Sequence, residues 1–185
     1  MMQKGLKLFV ILGTMSAASY AASIEIPMYL TNESHTLVGN ITATDTKYGV
    51  MFTPSLTGLV PDLTAGVHGF HVHEKASCAD MGMAAGGHLD PKNTKTHLGP
   101  YNPKGHLGDL PALYINGDGT LSHPVVAPRL KVKDILGRSL MIHNGGDNYS
   151  DEPKLGGGGP RMVCGVIPAK AHRRQLKRNH LGTLE

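Results

Sequence analysis

Short hydrophobic runs recur along the chain from about residue 23, and glycine, asparagine, aspartate and proline separate them. No helical period of useful length appears before the C-terminal end. Short apolar runs bounded by turn residues are typical of an antiparallel β-sandwich or barrel. We therefore predict an all-β fold, in which the clearest strand candidates are residues 24–26, 49–52, 69–73, 113–115 and 140–142.

One short and two long connections separate these runs. Asn116-Gly117-Asp118-Gly119 has the composition of a hairpin turn. The long connections, residues 75–110 and 144–160, are rich in glycine and proline and contain most of the candidate ligands described below. Connections of that length are usually functional or disordered, and we interpret these two as functional loops.

The first 21 residues have the pattern of a secretory signal peptide. Lys4 and Lys7 precede an apolar run from Leu8 to about Met15, small residues follow, and cleavage is predicted after Ala21. The run is shorter than the roughly 20 apolar residues that span a bilayer. We therefore expect an exported protein without stable membrane insertion, and an uncleaved anchor is the alternative.

The rest of the chain fits one domain and a tail. Residues 22–168 are long enough to build a core, and 40% of the whole sequence is hydrophobic. Residues 169–185 are basic and polar. We predict that this tail is disordered; contact with an anionic surface and loose metal binding by His172 and His180 are the alternatives.

The net charge of +4 does not describe the predicted domain. Of the 18 lysine and arginine residues, two lie in the predicted signal and five in the tail, which leaves 11 against 13 aspartate and glutamate residues once Glu185 is excluded. The domain is slightly acidic. We therefore expect no nucleic-acid partner, and any attraction of an anion must come from local charge.

The placement of the histidines is the strongest chemical signal. His71 and His73 flank one residue, so in a strand both imidazoles lie on one face and can bind the same ion. Asp109 follows His106 by three residues, and a single turn can bring that imidazole and carboxylate together. Imidazoles with one carboxylate and no nearby cysteine suit zinc or copper, whereas calcium and magnesium prefer oxygen ligands.

Seven residues form two candidate ligand sets. Three nitrogens and one oxygen, the ligand count of a closed tetrahedral zinc site, come from His88, His97, His106 and Asp109. Three further imidazoles belong to His71, His73 and His143. If His88 serves both sets, the second set has four imidazoles, which suits tetragonal Cu(II).

Cys78 and Cys164 are the only cysteines of the sequence. In an oxidising compartment a lone pair of cysteines is most simply a disulfide. Two buried thiols are the alternative. We predict the bridge because the N-terminal pattern indicates export.

Seven stretches closely resemble the bacterial periplasmic copper,zinc superoxide dismutases, and every metal-binding position of that family is filled in order. The stretches are HGFHVHEKASC (68–78), AGGHLDP (85–91), HLGPY (97–101), GHLGDLP (105–111), APRL (127–130), GRSLMIHNGGDNYSD (137–151) and LGGGGPRMVCGVI (155–167). The resemblance covers roughly residues 23–167. It implies a flattened eight-stranded antiparallel Greek-key barrel in a periplasmic protein.

The resemblance also implies a role for each candidate residue. One copper ion per chain is expected on His71, His73, His88 and His143. One zinc ion per chain is expected on His88, His97, His106 and Asp109. His88 would bridge the two ions as an imidazolate, because only then do both ring nitrogens offer lone pairs.

Two residues outside the ligand sets complete the implied site. Asp147 resembles the family aspartate that accepts hydrogen bonds from one copper and one zinc histidine, here His71 and His97. Arg161 lies three residues before Cys164, as does the family's active-site arginine, and its permanent charge suits a small anion. The implied catalytic residues are therefore His88 and Arg161.

These assignments predict an exported superoxide dismutase. Superoxide, a small-molecule substrate, would become dioxygen and hydrogen peroxide by Cu(II)/Cu(I) cycling, with zinc in a structural role. A homodimer is a possible assembly. The alternative is a non-enzymatic domain of the same fold that binds or delivers copper; such a domain is expected to lack Arg161, the bridge or a zinc ligand, and this sequence lacks none of them.

Overall fold

The computed structural model describes residues 20–175, and this part of the chain is almost entirely β-structure. Its strands are β1 (Tyr20–Leu30), β2 (Leu37–Thr46), β3 (Gly49–Leu56), β4 (Gly66–His68), β5 (Phe70–His73), β6 (Leu113–Ile115), β7 (Val125–Ala127), β8 (Ser139–His143), β9 (Arg161–Val166) and β10 (His172–Gln175). The helical segments are one short α-helix, α1 (Val132–Ile135), and two 3₁₀ turns, Met83–Ala85 and Lys154–Gly157.

All strand pairs of the described chain are antiparallel. One sheet has the order β5-β8-β9-β1-β2-β3-β7, with β10 paired to β1 as its eighth strand, and β4 pairs with β6 in a separate ribbon. The predicted antiparallel β fold is confirmed. The described pairings give an eight-stranded sheet and a two-stranded ribbon, and the exact strand count of the barrel stays a prediction.

The strands form because their apolar positions alternate. In β1, Ile24, Ile26 and Met28 are buried, whereas the residues between them face outward. Side chains of a strand point to opposite faces in turn, so this alternation buries one face of the sheet. Phe52 of β3 and Phe70 of β5 meet edge to face in the core, with ring centroids 5.3 Å apart.

The sequence prediction located the strands with clear apolar runs and missed the others. Each of the five predicted runs overlaps a strand, namely β1, β3, β5, β6 or β8. Strands β2, β4, β7, β9 and β10 were not predicted. In β2, Asn40 and the threonines at 42, 44 and 46 interrupt the apolar positions, so no continuous apolar run marks this strand, and β4 and β7 have only three residues each.

The predicted turn and loops agree with the structure. Gly119 donates its N–H to the carbonyl of Asn116 (3.0 Å), as a tight turn after β6 requires. The first long loop joins β5 to β6, and the second fills the interval between β8 and β9, residues 144–160. The first loop begins after His73 and the second after His143, at opposite ends of the antiparallel pair β5–β8.

The two ends of the described chain pair with each other. β10 lies antiparallel to the start of β1, with Tyr20 opposite Gln175 and Ser23 opposite His172. Residues 172–175 of the predicted tail thus lie along the edge of β1 in the described chain, and two of their partners, Tyr20 and Ala21, belong to the predicted signal. The disordered tail stays a prediction. Residues 176–185, including His180, and most of the predicted signal, residues 1–19, lie outside the described residues.

Among the described residues, no helix has the length and hydropathy needed to cross a membrane.

Cys78 and Cys164 form the predicted disulfide. Cys78 lies in the first long loop and Cys164 in β9, and the two are separated by 86 residues of sequence. The bridge therefore fastens an irregular loop to the sheet. Met141 and Ala85 are buried beside it.

Replacing both cysteines by alanine should destabilise the protein. Removing a bridge across 86 residues lowers the free energy of unfolding by about 4 to 5 kcal/mol in the chain-entropy model. Urea unfolding of the parent and the Cys78→Ala/Cys164→Ala variant measures the difference. Equal unfolding midpoints would contradict this stabilising role.

Candidate metal centre

The side chains of β5 alternate between two faces of the strand, one in the hydrophobic core and one that carries candidate ligands. Phe70 and Val72 pack into the hydrophobic core, whereas His71 and His73 lie on the opposite face and are also fully buried. The predicted pairing of two imidazoles on one side of a strand is present. The His71 and His73 ring centroids are 6.4 Å apart.

Neighbouring segments bring the other candidate ligands to this face. His143 ends β8 next to β5, and its N–H bonds to the carbonyl of Gly69 (2.9 Å). The first long loop returns along β5, where His88 forms a β-bridge with His73 and Asp109 forms one with His71. At Gly108 a side chain would collide with the carbonyl of Val72, so this close return requires a glycine.

The structure assembles both predicted ligand sets. Within each set, one ligand atom per residue lies within 4.8 Å of all the others. The first set consists of His71, His73, His88 and His143, and the second of His88, His97, His106 and Asp109. His88 belongs to both sets, as predicted for a bridging residue.

In the first set, hydrogen bonds to neighbouring oxygens select which nitrogen of each imidazole is free. His71 donates from Nε2 to Asp147 (2.8 Å), His73 donates from Nδ1 to the Gly86 carbonyl (3.0 Å), and His143 donates from Nδ1 to the Gly159 carbonyl (3.0 Å). These oxygens only accept, so the opposite nitrogen of each neutral ring keeps its lone pair. Those nitrogens, His71 Nδ1, His73 Nε2 and His143 Nε2, are buried without a hydrogen-bond partner.

Burial keeps these imidazoles neutral. Burial, with a smaller contribution from the nearby His88, lowers the pKa of His73 to about 2 and that of His143 to about 4. Burial, followed by the charge of His88, also places the pKa of His71 well below its ordinary value. A neutral imidazole with a free, buried lone pair is the form that binds a metal ion.

In the second set, three imidazoles converge on one carboxylate oxygen. The Nδ1 atoms of His88, His97 and His106 lie 2.9, 3.1 and 3.3 Å from Asp109 Oδ1. His97 Nδ1 lacks the geometry of a hydrogen bond and has no other partner. Three nitrogens and one oxygen that lie this close together supply the donors of a tetrahedral zinc site.

Asp109 is ionised in this arrangement. Burial alone would raise the pKa of its carboxyl group, but hydrogen bonds from His106 and His88, together with the nearby imidazole of His97, outweigh that effect and hold the pKa well below its ordinary value. A buried carboxylate is costly unless cations or hydrogen-bond donors surround it. The second set is therefore negatively charged when its imidazoles are neutral, as a divalent cation requires.

Asp147 links the two sets. Its carboxylate accepts hydrogen bonds from His71 Nε2 and His97 Nε2, both at 2.8 Å. At Gly156 a side chain would collide with Asp147 Oδ1, and this glycine has a positive φ of 75°. Asp147 itself lies close enough to both imidazoles to be a ligand. Because its oxygens already accept from Nε2, the free Nδ1 atoms point to two separate sets.

Arg161 lies at the start of β9, half-buried beside the first set. Its guanidinium donates from Nη1 to the carbonyl of Gly82 and from Nη2 to that of Gly86, both at 2.6 Å. The Gly86 carbonyl also accepts from His73 Nδ1. One carbonyl thus connects the arginine to a candidate ligand. Pro160, which precedes Arg161, has a fixed φ and no backbone N–H, and these contacts form next to it.

Several residues that support the site have no signal in the sequence. The carbonyls of Gly86 and Gly159 orient His73 and His143, and Asp151 accepts the backbone N–H of His97 (3.0 Å). A backbone carbonyl carries no side-chain signature, and the role of Asp151 depends on how two distant loops meet. Only the spatial arrangement identifies these residues.

Comparisons with known proteins identify the family of this chain. The family model of copper/zinc superoxide dismutase matches residues 37–167. A superoxide dismutase [Cu-Zn] of Pasteurella multocida is 54% identical over 140 residues, which cover 70% of this chain and 73% of that protein.

Solved structures of other proteins also align with this chain. The Cu/Zn superoxide dismutase from Brucella abortus aligns with a TM-score of 0.72 and 48% identity, over 78% of this chain and 99% of its own. The monomeric copper, zinc superoxide dismutase from Salmonella enterica aligns with a TM-score of 0.66 and 47% identity, over 79% and 99%. The chain thus belongs to the copper/zinc superoxide dismutase family, and it is an enzyme that converts superoxide to dioxygen and hydrogen peroxide with copper and zinc as cofactors.

Proposed function

We propose a specific division of the ligands between the two metal ions. Copper would be held by His71 Nδ1, His73 Nε2, His143 Nε2 and the side chain of His88. Zinc would be held by Asp109 and by the side chains of His88, His97 and His106. The observation that carries this assignment is the set of buried imidazole nitrogens without hydrogen-bond partners in the first set, beside three Nδ1 atoms around one carboxylate oxygen.

The donors fit the two ions. Four imidazoles suit Cu(II), and three imidazoles with one carboxylate suit zinc. When bound, copper supplies one-electron redox chemistry by alternating between Cu(II) and Cu(I), and zinc supplies a fixed positive charge without redox chemistry. The overall reaction consumes two superoxide ions and two protons and yields one dioxygen and one hydrogen peroxide.

His88 is the proposed proton carrier. Its Nδ1 lies on the zinc side, 2.9 Å from Asp109 Oδ1, which leaves Nε2 for the copper side. A ring held at Nδ1 keeps its orientation while Nε2 takes up and returns a proton. One imidazole can therefore act as acceptor and then as donor of the same proton.

Arg161 is the proposed docking residue for superoxide. Its two hydrogen bonds to the Gly82 and Gly86 carbonyls hold the guanidinium in place, and that group keeps its charge at any relevant pH. The domain is slightly acidic, so attraction of an anion depends on this local charge. The fixed cation orients the substrate beside the first ligand set.

We also propose that the mature protein is exported to the periplasm and begins after Ala21, which agrees with the disulfide between Cys78 and Cys164. The homodimer stays a prediction. One solved relative, from Salmonella enterica, is a monomer, so family membership does not decide the assembly.

Replacing His88 by alanine should separate the two sites and reduce turnover by about 100-fold or more, equivalent to roughly 2.7 kcal/mol of transition-state stabilisation. The variant removes the shared ligand and the proton carrier together. Metal analysis and a dismutation assay measure both effects. His123→Ala, at an exposed histidine, is the matched control, and parental activity of His88→Ala would refute the bridge.

Replacing Asp147 by asparagine should weaken the retention of both metals by roughly 10- to 100-fold, as is usual for groups that orient metal ligands. An amide has one acceptor oxygen and cannot accept from His71 and His97 in the same way. Chelator titration followed by metal analysis provides the measurement. Asp118→Asn, in an exposed turn, is the control, and unchanged retention of both metals would argue against this role.

Replacing Arg161 by alanine should leave both metals bound, because guanidinium is not a metal ligand, and should lower the dismutation rate about tenfold or more. Inhibition by small anions should weaken in parallel. Arg161→Lys should be intermediate, because it keeps the charge without the planar group. If Arg161→Ala keeps the rate and the anion sensitivity of the parent at low ionic strength, the anion site lies elsewhere.

A further inference from the structure

Arg129 makes an unusual set of contacts with the first long loop. It follows β7 by two residues, and its neighbour Leu130 is buried in the hydrophobic core, so its backbone is anchored to the sheet. Its half-buried guanidinium donates hydrogen bonds to four backbone carbonyls of the loop. These are Pro100 from Nε (2.8 Å), Gly105 from Nη1 (3.3 Å), and Gly99 (3.1 Å) and His106 (2.5 Å) from Nη2.

The four carbonyls lie on two stretches of the first long loop, residues 97–100 and 105–106, which form the two arms of the 97–106 segment. Gly99 and Pro100 follow the proposed zinc ligand His97 by two and three residues, and the other pair is Gly105 and the ligand His106 itself. A side chain at Gly105 would lie 2.8 Å from Leu98 Cβ, which shows how closely the two arms approach. A single guanidinium therefore spans the arms that carry two zinc ligands.

This segment has little regular structure to hold it. Between residues 86 and 112 the described chain has no helix and only isolated β-bridges at His88 and Asp109. The position of an irregular loop depends on individual hydrogen bonds and packing contacts. Arg129 supplies four of those bonds from outside the loop, and each satisfies a carbonyl that would otherwise need another donor.

The geometry points to Arg129 as a positioning residue for zinc: it clamps the 97–106 segment so that His97 and His106 are oriented before the ion arrives. This inference rests on the zinc ligand set proposed above. Arg129 does not act as a ligand or touch substrate. Its planar group presents five N–H donors in a fixed arrangement, four of which contact the loop, and no other side-chain type can reproduce this pattern.

Zinc release to a chelator tests the clamp. Arg129→Met keeps much of the side-chain length and removes the donors, and we expect zinc to leave roughly 10- to 100-fold faster than from the parent. Arg129→Lys should fall between the two, because an ammonium cannot span both arms. Arg138→Met is the matched control, since Arg138 is also half-buried and donates to a loop carbonyl, that of Glu74, outside the zinc set; its zinc release should stay within about twofold of the parent.

Two further readouts separate positioning from general destabilisation. The visible spectrum of cobalt(II) placed in the zinc site reports ligand geometry and should change in Arg129→Met. The thermal unfolding of the metal-free proteins reports the stability of the sheet. A buried core substitution far from the loop, Ile41→Val, should lower thermal stability without changing the cobalt spectrum.

His106→Ala distinguishes failure of the clamp from failure of the ligand assignment. If His106→Ala loses zinc rapidly while Arg129→Met retains zinc and the cobalt spectrum of the parent, the clamp is refuted and the ligand set stands. If His106→Ala also retains zinc like the parent, the ligand set is wrong and the inference about Arg129 is overturned with it.

Discussion

Four imidazole nitrogens lie buried at the centre of this protein without a hydrogen-bond partner, and they belong to His71, His73, His97 and His143. A buried polar atom left unpaired costs about 1 to 3 kcal/mol, so a cluster of four is not tolerated for stability alone. Metal ions that accept these lone pairs turn the same arrangement into a stabilising one. The loops, glycines and carbonyls around them keep these nitrogens within the two ligand sets.

The orientation of each ring depends on what its other nitrogen contacts. The backbone carbonyl of Gly86 receives the N–H of His73 and also a hydrogen bond from Arg161. Asp147 receives one N–H from each ligand set. The proposed substrate-docking group and both metal sites are therefore connected through oxygen atoms that bind no substrate, and a change at one of these oxygens affects more than one functional group.

The site combines a rigid sheet with irregular loops that the sheet holds by a few strong contacts. β5 and β8 supply His71, His73 and His143, whereas the remaining ligands come from a loop without regular structure. The disulfide and the hydrogen bonds of Arg129 fasten that loop at separate points. A loop of this kind can approach metal ions closely because glycines remove side chains where backbones meet, and its fixed contacts limit its motion.

The sequence by itself indicated the all-β class and the His-x-His pair of β5 through residue type and short spacing, and the cysteine pair and the two candidate ligand sets through residue type together with the resemblance to a known family. Tertiary structure alone decided which nitrogen of each imidazole is free, because that depends on carbonyls such as those of Gly86 and Gly159. It also decided the grouping of strands, the pairing of β10 with β1, and the reach of Arg129 to a loop 23 to 30 residues away. The local sequence specifies which side chains can bind a metal ion and where apolar positions alternate along a strand. Backbone atoms far apart in the chain become partners only when the chain has folded.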